Sequence, residues 1–222
     1  MIKNNTVKFR GVLFDFDGVL ADTMRDHFAA WNYALGRFDA AVAADIFYAL
    51  EGMPVALMAQ TVCERAGVGG ANAEEILRVK EEYYLSHNHF SLYPGVEEYI
   101  TLFRKKNVPM AIVSGGRLDR IQKSTPQYFL SHFDAVVTGE QTARGKPFPD
   151  AYLEGARRLG IDAESCIVVE NAPLGVSAAK GAGAYCIAIT STMPRLALKD
   201  ADEVVDSFEA LMNTIPIGAL LA

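Results

Sequence analysis

The chain has 222 residues, 50% of them hydrophobic and 22% charged, a balance that supports a sizeable core and argues against disorder. Its formal net charge is −6 with no block of lysine or arginine, which speaks against nucleic acid or an anionic membrane as a partner. The length exceeds that of one simple domain and suits a core with one large insertion.

Residues 1–10 are polar and show no apolar h-region, so no signal peptide is expected. The first strand is predicted over 7–16 and is buried on both faces where it becomes Gly11-Val12-Leu13-Phe14. It runs into Asp15-Phe16-Asp17-Gly18-Val19-Leu20-Ala21-Asp22-Thr23, two carboxylates followed by a turn. From 24 to about 92 the period is helical throughout. One helix carries His27, Phe28, Trp31 and Leu35 close to one face, and others fit 41–50, 55–66 and 73–86, with breaks at Gly52-Met53-Pro54 and Gly67-Val68-Gly69-Gly70.

After Tyr93-Pro94-Gly95, helix and strand alternate. Helices are predicted at 96–106, 117–123, 150–159 and 174–182, and strands at 109–113, 134–138, 166–170, 184–189 and 203–205. The fold class that follows is α/β, a doubly wound parallel Rossmann-like sheet with an inserted helical-bundle cap. The catalytic core is expected over 1–23 and 93–222, and the cap over 24–92. The apolar stretch 215–222 is expected to be a packed or contact-forming tail. No apolar run is long enough to span a bilayer. Cys63, Cys166 and Cys186 show no paired spacing and read as reduced, mostly buried residues of a cytoplasmic protein.

In such a sheet, ligands bind beyond the carboxyl ends of the strands. Those ends carry Asp15 and Asp17, then Ser114-Gly115-Gly116, then Glu170-Asn171, with Lys146 in the loop Arg144-Gly145-Lys146-Pro147. The set suits a metal and a phosphate. Asp15 can attack phosphorus, a known covalent route for carboxylates. Asp17 can protonate the leaving oxygen and later deprotonate water. Ser114 and the N–H groups of Gly115 and Gly116 can hold phosphate oxygens, and Lys146 offsets the repulsion between nucleophile and phosphate. Asp15, Asp17 (through a nearby backbone carbonyl), Glu170 and Asn171 form an all-oxygen set of the kind Mg2+ prefers. Each residue also has an ordinary reading. Ser114 can cap the helix that begins near Arg117, Lys146 can be a solvated loop lysine, and Glu170-Asn171 can cap the helix that begins near Pro173.

The segments Asp15 to Thr23, Val113-Ser114-Gly115, Gly145-Lys146-Pro147-Phe148-Pro149-Asp150 and Val169-Glu170-Asn171-Ala172-Pro173-Leu174-Gly175-Val176 resemble the haloacid dehalogenase superfamily of phosphohydrolases. The likeness is to its phosphoglycolate phosphatase and β-phosphoglucomutase-like branch, and together the segments cover nearly the whole core. The resemblance implies a Mg2+-dependent phosphotransferase with a mobile helical cap. The second aspartate, Asp17, argues against carbon-halide chemistry. The resemblance also implies a role for His27, where the mutase-like branch often places a histidine, with a packed helix residue as the ordinary alternative and Trp31 read as core. His87 and His89 read first as a polar helix end and second as a metal candidate.

Two departures from the pattern matter. Many relatives have Glu-Asp where this chain has Glu170-Asn171, which removes one negative charge from the expected metal site. Sugar-phosphate mutases of the branch usually carry an arginine just after the cap-loop glycine, whereas here Met53-Pro54-Val55 follow Gly52. Glu51 instead offers an acid that faces the metal or substrate, or an ordinary helix end with a glycine stop. On the last cap helix, Arg78 and Lys80 are read first as surface residues and second as contacts for a second phosphate. The expected activity is a Mg2+-dependent phosphatase for a small phosphorylated metabolite. The alternatives are a β-phosphoglucomutase-type mutase, an inorganic pyrophosphatase, or a phosphate-binding regulatory protein. A monomer or weak dimer is expected.

Overall fold

A computed structural model describes residues 9–221. Six parallel strands form one sheet, in the order β3-β2-β1-β4-β5-β6. They are β1 (Gly11–Phe14), β2 (Met110–Ser114), β3 (Ala135–Thr138), β4 (Cys166–Glu170), β5 (Tyr185–Ile189) and β6 (Glu203–Val205). β1 is shorter than the predicted 7–16. Its register begins where β4 begins, at Gly11 opposite Cys166, and residues 7 and 8 lie outside the described ones. Beyond Phe14 the ladder continues by one bond, from the Asp15 N–H to the Val169 carbonyl at 3.0 Å.

Side chains alternate across the sheet, and the two faces build two cores. Val12 and Phe14 pack on one side with Val96, Ile100 and Phe103 of α5 (Val96–Lys105). Leu13 packs on the other with Tyr152 and Ala156 of α8 (Asp150–Leu159) and Val176 of α9 (Pro173–Gly181). The first face also holds Ile121 of α6 (Leu118–Ser124), Phe129 of α7 (Gln127–Leu130), Phe208 of α10 (Phe208–Met212) and Ile217 of α11 (Ile215–Leu221). Of the apolar tail, Ile217 lies in the core and Leu220 packs against it, while residue 222 lies outside the described ones.

Between β1 and α5 run α1 (Met24–Gly36), α2 (Ala44–Ala49), α3 (Val55–Arg65) and α4 (Ala73–His87). In α1, Met24, His27, Ala30, Trp31, Ala34 and Leu35 are buried, the i, i+3, i+4, i+7 spacing of a core-facing helix. Trp31 and Leu35 join Phe47, Val62 and Ile76 in a third apolar cluster drawn wholly from residues 24–79. The block also closes onto the sheet, because the Val55 N–H donates to the Gly115 carbonyl at 3.2 Å. All three cysteines are free and buried. Among the described residues, no helix is long and apolar enough to cross a membrane.

The chain builds β1, β2 and β3 outward to one side, then β4, β5 and β6 to the other. The order reverses between β1 and β4, and a doubly wound sheet opens its ligand crevice there, beyond the strand ends. Asp15 follows β1 and Glu170 ends β4, so both acids stand at that point.

Candidate active site

Lys146 is 2% exposed and binds three oxygens: Asp15 Oδ1 at 2.5 Å, Glu170 Oε1 at 2.6 Å and the Val113 carbonyl at 3.2 Å. It is not a solvated loop lysine. Burial alone would lower its pKa, but the two carboxylates outweigh that and hold it above the ordinary lysine value. Burial drives Asp15 the other way, up to about 8, against the pull of Lys146. One ammonium therefore serves two buried carboxylates.

Asp17 is organised differently. Arg120 donates to both its oxygens, from Nη1 at 3.0 Å and Nη2 at 2.5 Å. Thr23 Oγ1 donates to Oδ1 at 2.7 Å, and His27 Nε2 lies 3.2 Å from the same oxygen. Burial would raise the Asp17 carboxyl, but Arg120 and His27 outweigh it and hold it well below the usual carboxylate range. His27 stacks on Tyr84 with ring centroids 4.0 Å apart. Burial, with Lys80 adding to it, takes His27 down to about 4. At neutral pH its imidazole is uncharged, and Nε2–H is the donor to Asp17.

Ser114 does not cap the following helix. The residue before α6 is Arg117, with no side-chain cap, and Ser114 Oγ instead accepts the Gly116 N–H at 3.1 Å. Asp15, Asp17, His27, Glu51, Ser114, Gly115 and Gly116 all line one cavity of about 60 Å³ between the helical block and the strand ends. Lys146, Glu170 and Asn171 stand behind it, joined through Asp15 and Glu51. The expected site residues are thus brought together in one connected set.

One expectation about metal ligands changes. Glu170 is fully buried, and its oxygens are taken by protein donors. Oε1 accepts from Lys146 and from the Tyr152 hydroxyl at 2.7 Å, and Oε2 accepts the N–H groups of Asn171 and Ala172. It anchors Lys146 and holds the turn that leads into α9, without capping the helix itself, and presents no open ligand position. The Asp17 side chain is likewise taken up by Arg120, Thr23 and His27, which leaves its backbone carbonyl as the available donor. Among the described residues, no group of three or more His, Cys, Asp or Glu side chains is arranged to hold a metal ion.

The remaining donors still fit magnesium. Asn171 Oδ1 is buried with no hydrogen-bond partner. The amide orientation is fixed because Nδ2 donates to Glu51 Oε1 and to Thr192 Oγ1. Gly18 stands beside it at φ +87, where a Cβ would overlap Asn171 and Glu51. Asp15, the Asp17 carbonyl and Asn171 Oδ1 are hard oxygen donors, and Mg2+ usually retains several waters to complete its octahedron. An expected result follows: Asn171→Asp should bind Mg2+ more tightly by calorimetry, and unchanged affinity would count against Asn171 as a ligand. A second concerns pH. A group whose pKa rises on folding stabilises below its unfolded value, and that contribution is lost as pH rises through the folded one. In chelator, therefore, wild type should lose stability relative to Asp15→Asn between about pH 4 and pH 8. A flat difference in melting temperature would contradict it.

Several members of the site lie outside the sequence motifs. Arg120, Tyr152 and Thr192 hold Asp17, Glu170 and Glu51 respectively. Burial pushes the Glu51 carboxyl well above its ordinary value despite its bonds to Thr192 and Asn171. Arg120 left one trace in the sequence. It shares the buried face of α6 with Ile121 and Ser124, where arginine is rare unless paired. Lys80 is 2% exposed and lines the cavity, contrary to a surface reading, whereas Arg78 is exposed and pairs with Glu75 and Glu82.

The pattern of the haloacid dehalogenase-like hydrolases matches residues 12–189. The chain belongs to that family. This hydrolase is 29% identical over 209 residues to hexitol phosphatase A of Escherichia coli, covering 94% of this chain and 95% of that one. It is 27% identical over 196 residues to the β-phosphoglucomutase of Bacillus subtilis, covering 84% and 86%. Its fold is shared with CbbY from Rhodobacter sphaeroides, solved in complex with phosphate, at a TM-score of 0.79 and 23% identity, covering 96% and 99%. The resemblance read from the four motifs is borne out at the level of the family, and so is the α/β fold.

Proposed function

We propose that this hydrolase is a Mg2+-dependent phosphatase that removes a phosphoryl group from a small phosphorylated compound by way of an aspartyl-phosphate on Asp15. The observation that carries the reading is Lys146, buried between Asp15 and Glu170 at the sheet's switch point and next to the Ser114-Gly115-Gly116 turn. A carboxylate and backbone donors then face the cavity, with a fixed positive charge behind the carboxylate. The phosphatase names among the relatives support it.

In the first step an Asp15 oxygen bonds to phosphorus as the bond to the leaving oxygen breaks. Asp17, ionised beside Arg120, takes up a proton as substrate binds and gives it to that oxygen. In the second step water bonds to phosphorus, Asp17 takes its proton, and the bond to Asp15 breaks to release phosphate. Lys146 neutralises charge between Asp15 and the incoming phosphoryl, and Ser114 with the Gly115 and Gly116 N–H groups orients its oxygens. Asp15, Asn171 and the Asp17 carbonyl would hold Mg2+, which supplies further charge neutralisation at the phosphoryl oxygens. The helices of 24–92 act as a cap that excludes water, with the turn 18–23 as its hinge.

A second reading, inorganic pyrophosphatase, has a specific observation behind it. The cavity is small, at about 60 Å³, and Glu51 in its wall is tied to Asn171 and Thr192. A compact substrate suits that space. The missing arginine after Gly52 lowers the mutase reading.

The test is phosphate release with Mg2+ across sugar phosphates, phosphoglycolate, nucleotides and pyrophosphate, with Asp15→Asn as the blank. Turnover of β-glucose 1-phosphate that outpaces phosphate release, when primed by the bisphosphate, would favour the mutase. No Mg2+-dependent hydrolysis of any compound by the folded protein would favour a phosphate-binding regulatory protein.

A further inference from the structure

The helical block meets the Ser114-Gly115-Gly116 turn through main chain rather than side chains. Val55 is the first residue of α3, and its N–H donates to the Gly115 carbonyl at 3.2 Å. The first N–H groups of a helix have no partner within it, and no side chain caps α3. A carbonyl of the core therefore serves as acceptor for a helix of the block.

The fit around that bond depends on missing side chains. A Cβ at Gly115 would lie 2.7 Å from the Gly52 carbonyl oxygen and 2.8 Å from that of Met53. One at Gly139, just after β3, would lie 2.9 Å from the Gly115 oxygen, and one at Gly145 would overlap the Pro54 ring. None of these three core glycines has a positive φ, so what they supply is space. Residues 52–55 are thus seated in a socket made by three core loops, with the Gly115 carbonyl held between Gly139 and Val55.

That carbonyl belongs to the same planar unit as the Gly116 N–H, so fixing one fixes the other. With a glycine on each side, the unit would otherwise turn at little cost. The Gly116 N–H donates to Ser114 Oγ at 3.1 Å. The Ser114 hydroxyl proton is then left for an acceptor in the cavity that these three residues line.

We infer that the Val55 N–H is a positioning group: docking of 52–55 sets the Gly115–Gly116 peptide unit, and with it the Ser114 hydroxyl, in the orientation that receives phosphoryl oxygens. The inference rests on the phosphatase reading and adds how its phosphoryl-binding turn is assembled. The turn is complete only while the block is docked, and the Val55 N–H acts through Gly115 rather than on the substrate. By reciprocity, a phosphoryl group held in the turn stabilises docking by the same factor.

The first experiment needs no variant. Hydrogen exchange of the Val55 amide in wild type, followed by NMR with excess Mg2+, should slow roughly 3- to 10-fold on saturation with inorganic phosphate, the range of a neutral hydrogen bond. The second compares Val55→Pro with Val55→Ala, so that the loss of the side chain is common to both and only the proline lacks the N–H. Proline suits the first position of a helix, and Pro54 before it is already extended at φ −54, ψ 131. The helix should therefore form, with a ring carbon that turns the Gly115 carbonyl away. Val55→Pro should bind phosphate at least about 10-fold more weakly than Val55→Ala by calorimetry. Its kcat/KM should fall by a similar factor for pyrophosphate and for sugar phosphates alike, because the turn holds the transferred group. Unchanged Val55 exchange, or equal phosphate affinity in the two variants, would overturn the coupling and leave the phosphatase standing. Slowed exchange and weakened phosphate binding, without hydrolysis of any compound by wild type, would support the coupling and overturn the phosphatase.

Discussion

Replacing Asp15 with asparagine should cut Mg2+-dependent phosphate release by roughly ten-thousandfold or more while the protein stays folded. The amide keeps the shape of the side chain, and its oxygen still accepts from Lys146, which retains Glu170 as a full counter-ion at 2.6 Å. What disappears is the nucleophile. Since burial raises the Asp15 carboxyl to about 8, removing its charge also relieves the folded state. The melting temperature should accordingly be unchanged or higher. Residual activity within tenfold of wild type would mean that the phosphoryl group is transferred directly to water, with Asp15 only a charge.

Lys146→Met should be harmful to both activity and stability, in contrast to Asp15→Asn. The methionine fits the volume and removes the ammonium that joins Asp15, Glu170 and the Val113 carbonyl. Breaking a buried ion pair from one side costs about 3–5 kcal/mol, because the partner is left charged and dry. Glu170 has no exposure to solvent and Asp15 only 5%, so water cannot replace the lost donor. For a chain of this size that loss lowers the melting temperature by roughly 6–20 °C. Phosphate release should fall by at least about a hundredfold, the scale of losing one fixed electrostatic donor. A variant that melts with wild type would show that Lys146 is not the electrostatic centre of the site.

Much of this was legible in the sequence because it depends on local patterns. β4, β6 and α8 begin and end where their apolar runs and periodicities place them. Asp15, Asp17, Ser114, Lys146, Glu170 and Asn171 follow strand ends or lie in the loop before α8, and a parallel sheet gathers strand ends at one rim. The helical insertion shows as a long stretch with no strand period. What stayed hidden are partnerships across the fold. Arg120 lies 103 residues from Asp17, and Thr192 lies 141 from Glu51. Tyr152 reads as one more core aromatic of α8, and only its hydroxyl on Glu170 gives it a second role. Glu170 shows the same limit from the other side. Its motif suggests a metal ligand, but four protein donors converge on it from Lys146, Tyr152 and the turn into α9.

The arrangement also explains why the two aspartates behave as different chemical groups although they are two residues apart. Asp15 faces a lysine that it shares with another carboxylate, in a buried position. Asp17 faces an arginine of its own and two further donors. Burial raises the Asp15 carboxyl, while Arg120 and His27 hold that of Asp17 down against the same effect, so the two groups differ in environment.

The central claim is that Asp15 carries the phosphoryl group during turnover. Wild type mixed with Mg2+ and a phosphorylated substrate, quenched in acid within the first turnovers and digested, should yield the peptide containing Asp15 with one added phosphoryl group by mass spectrometry. The same peptide from Asp15→Asn should carry none. A phosphoryl group on another residue, or phosphate release by Asp15→Asn at the wild-type rate, would contradict the account.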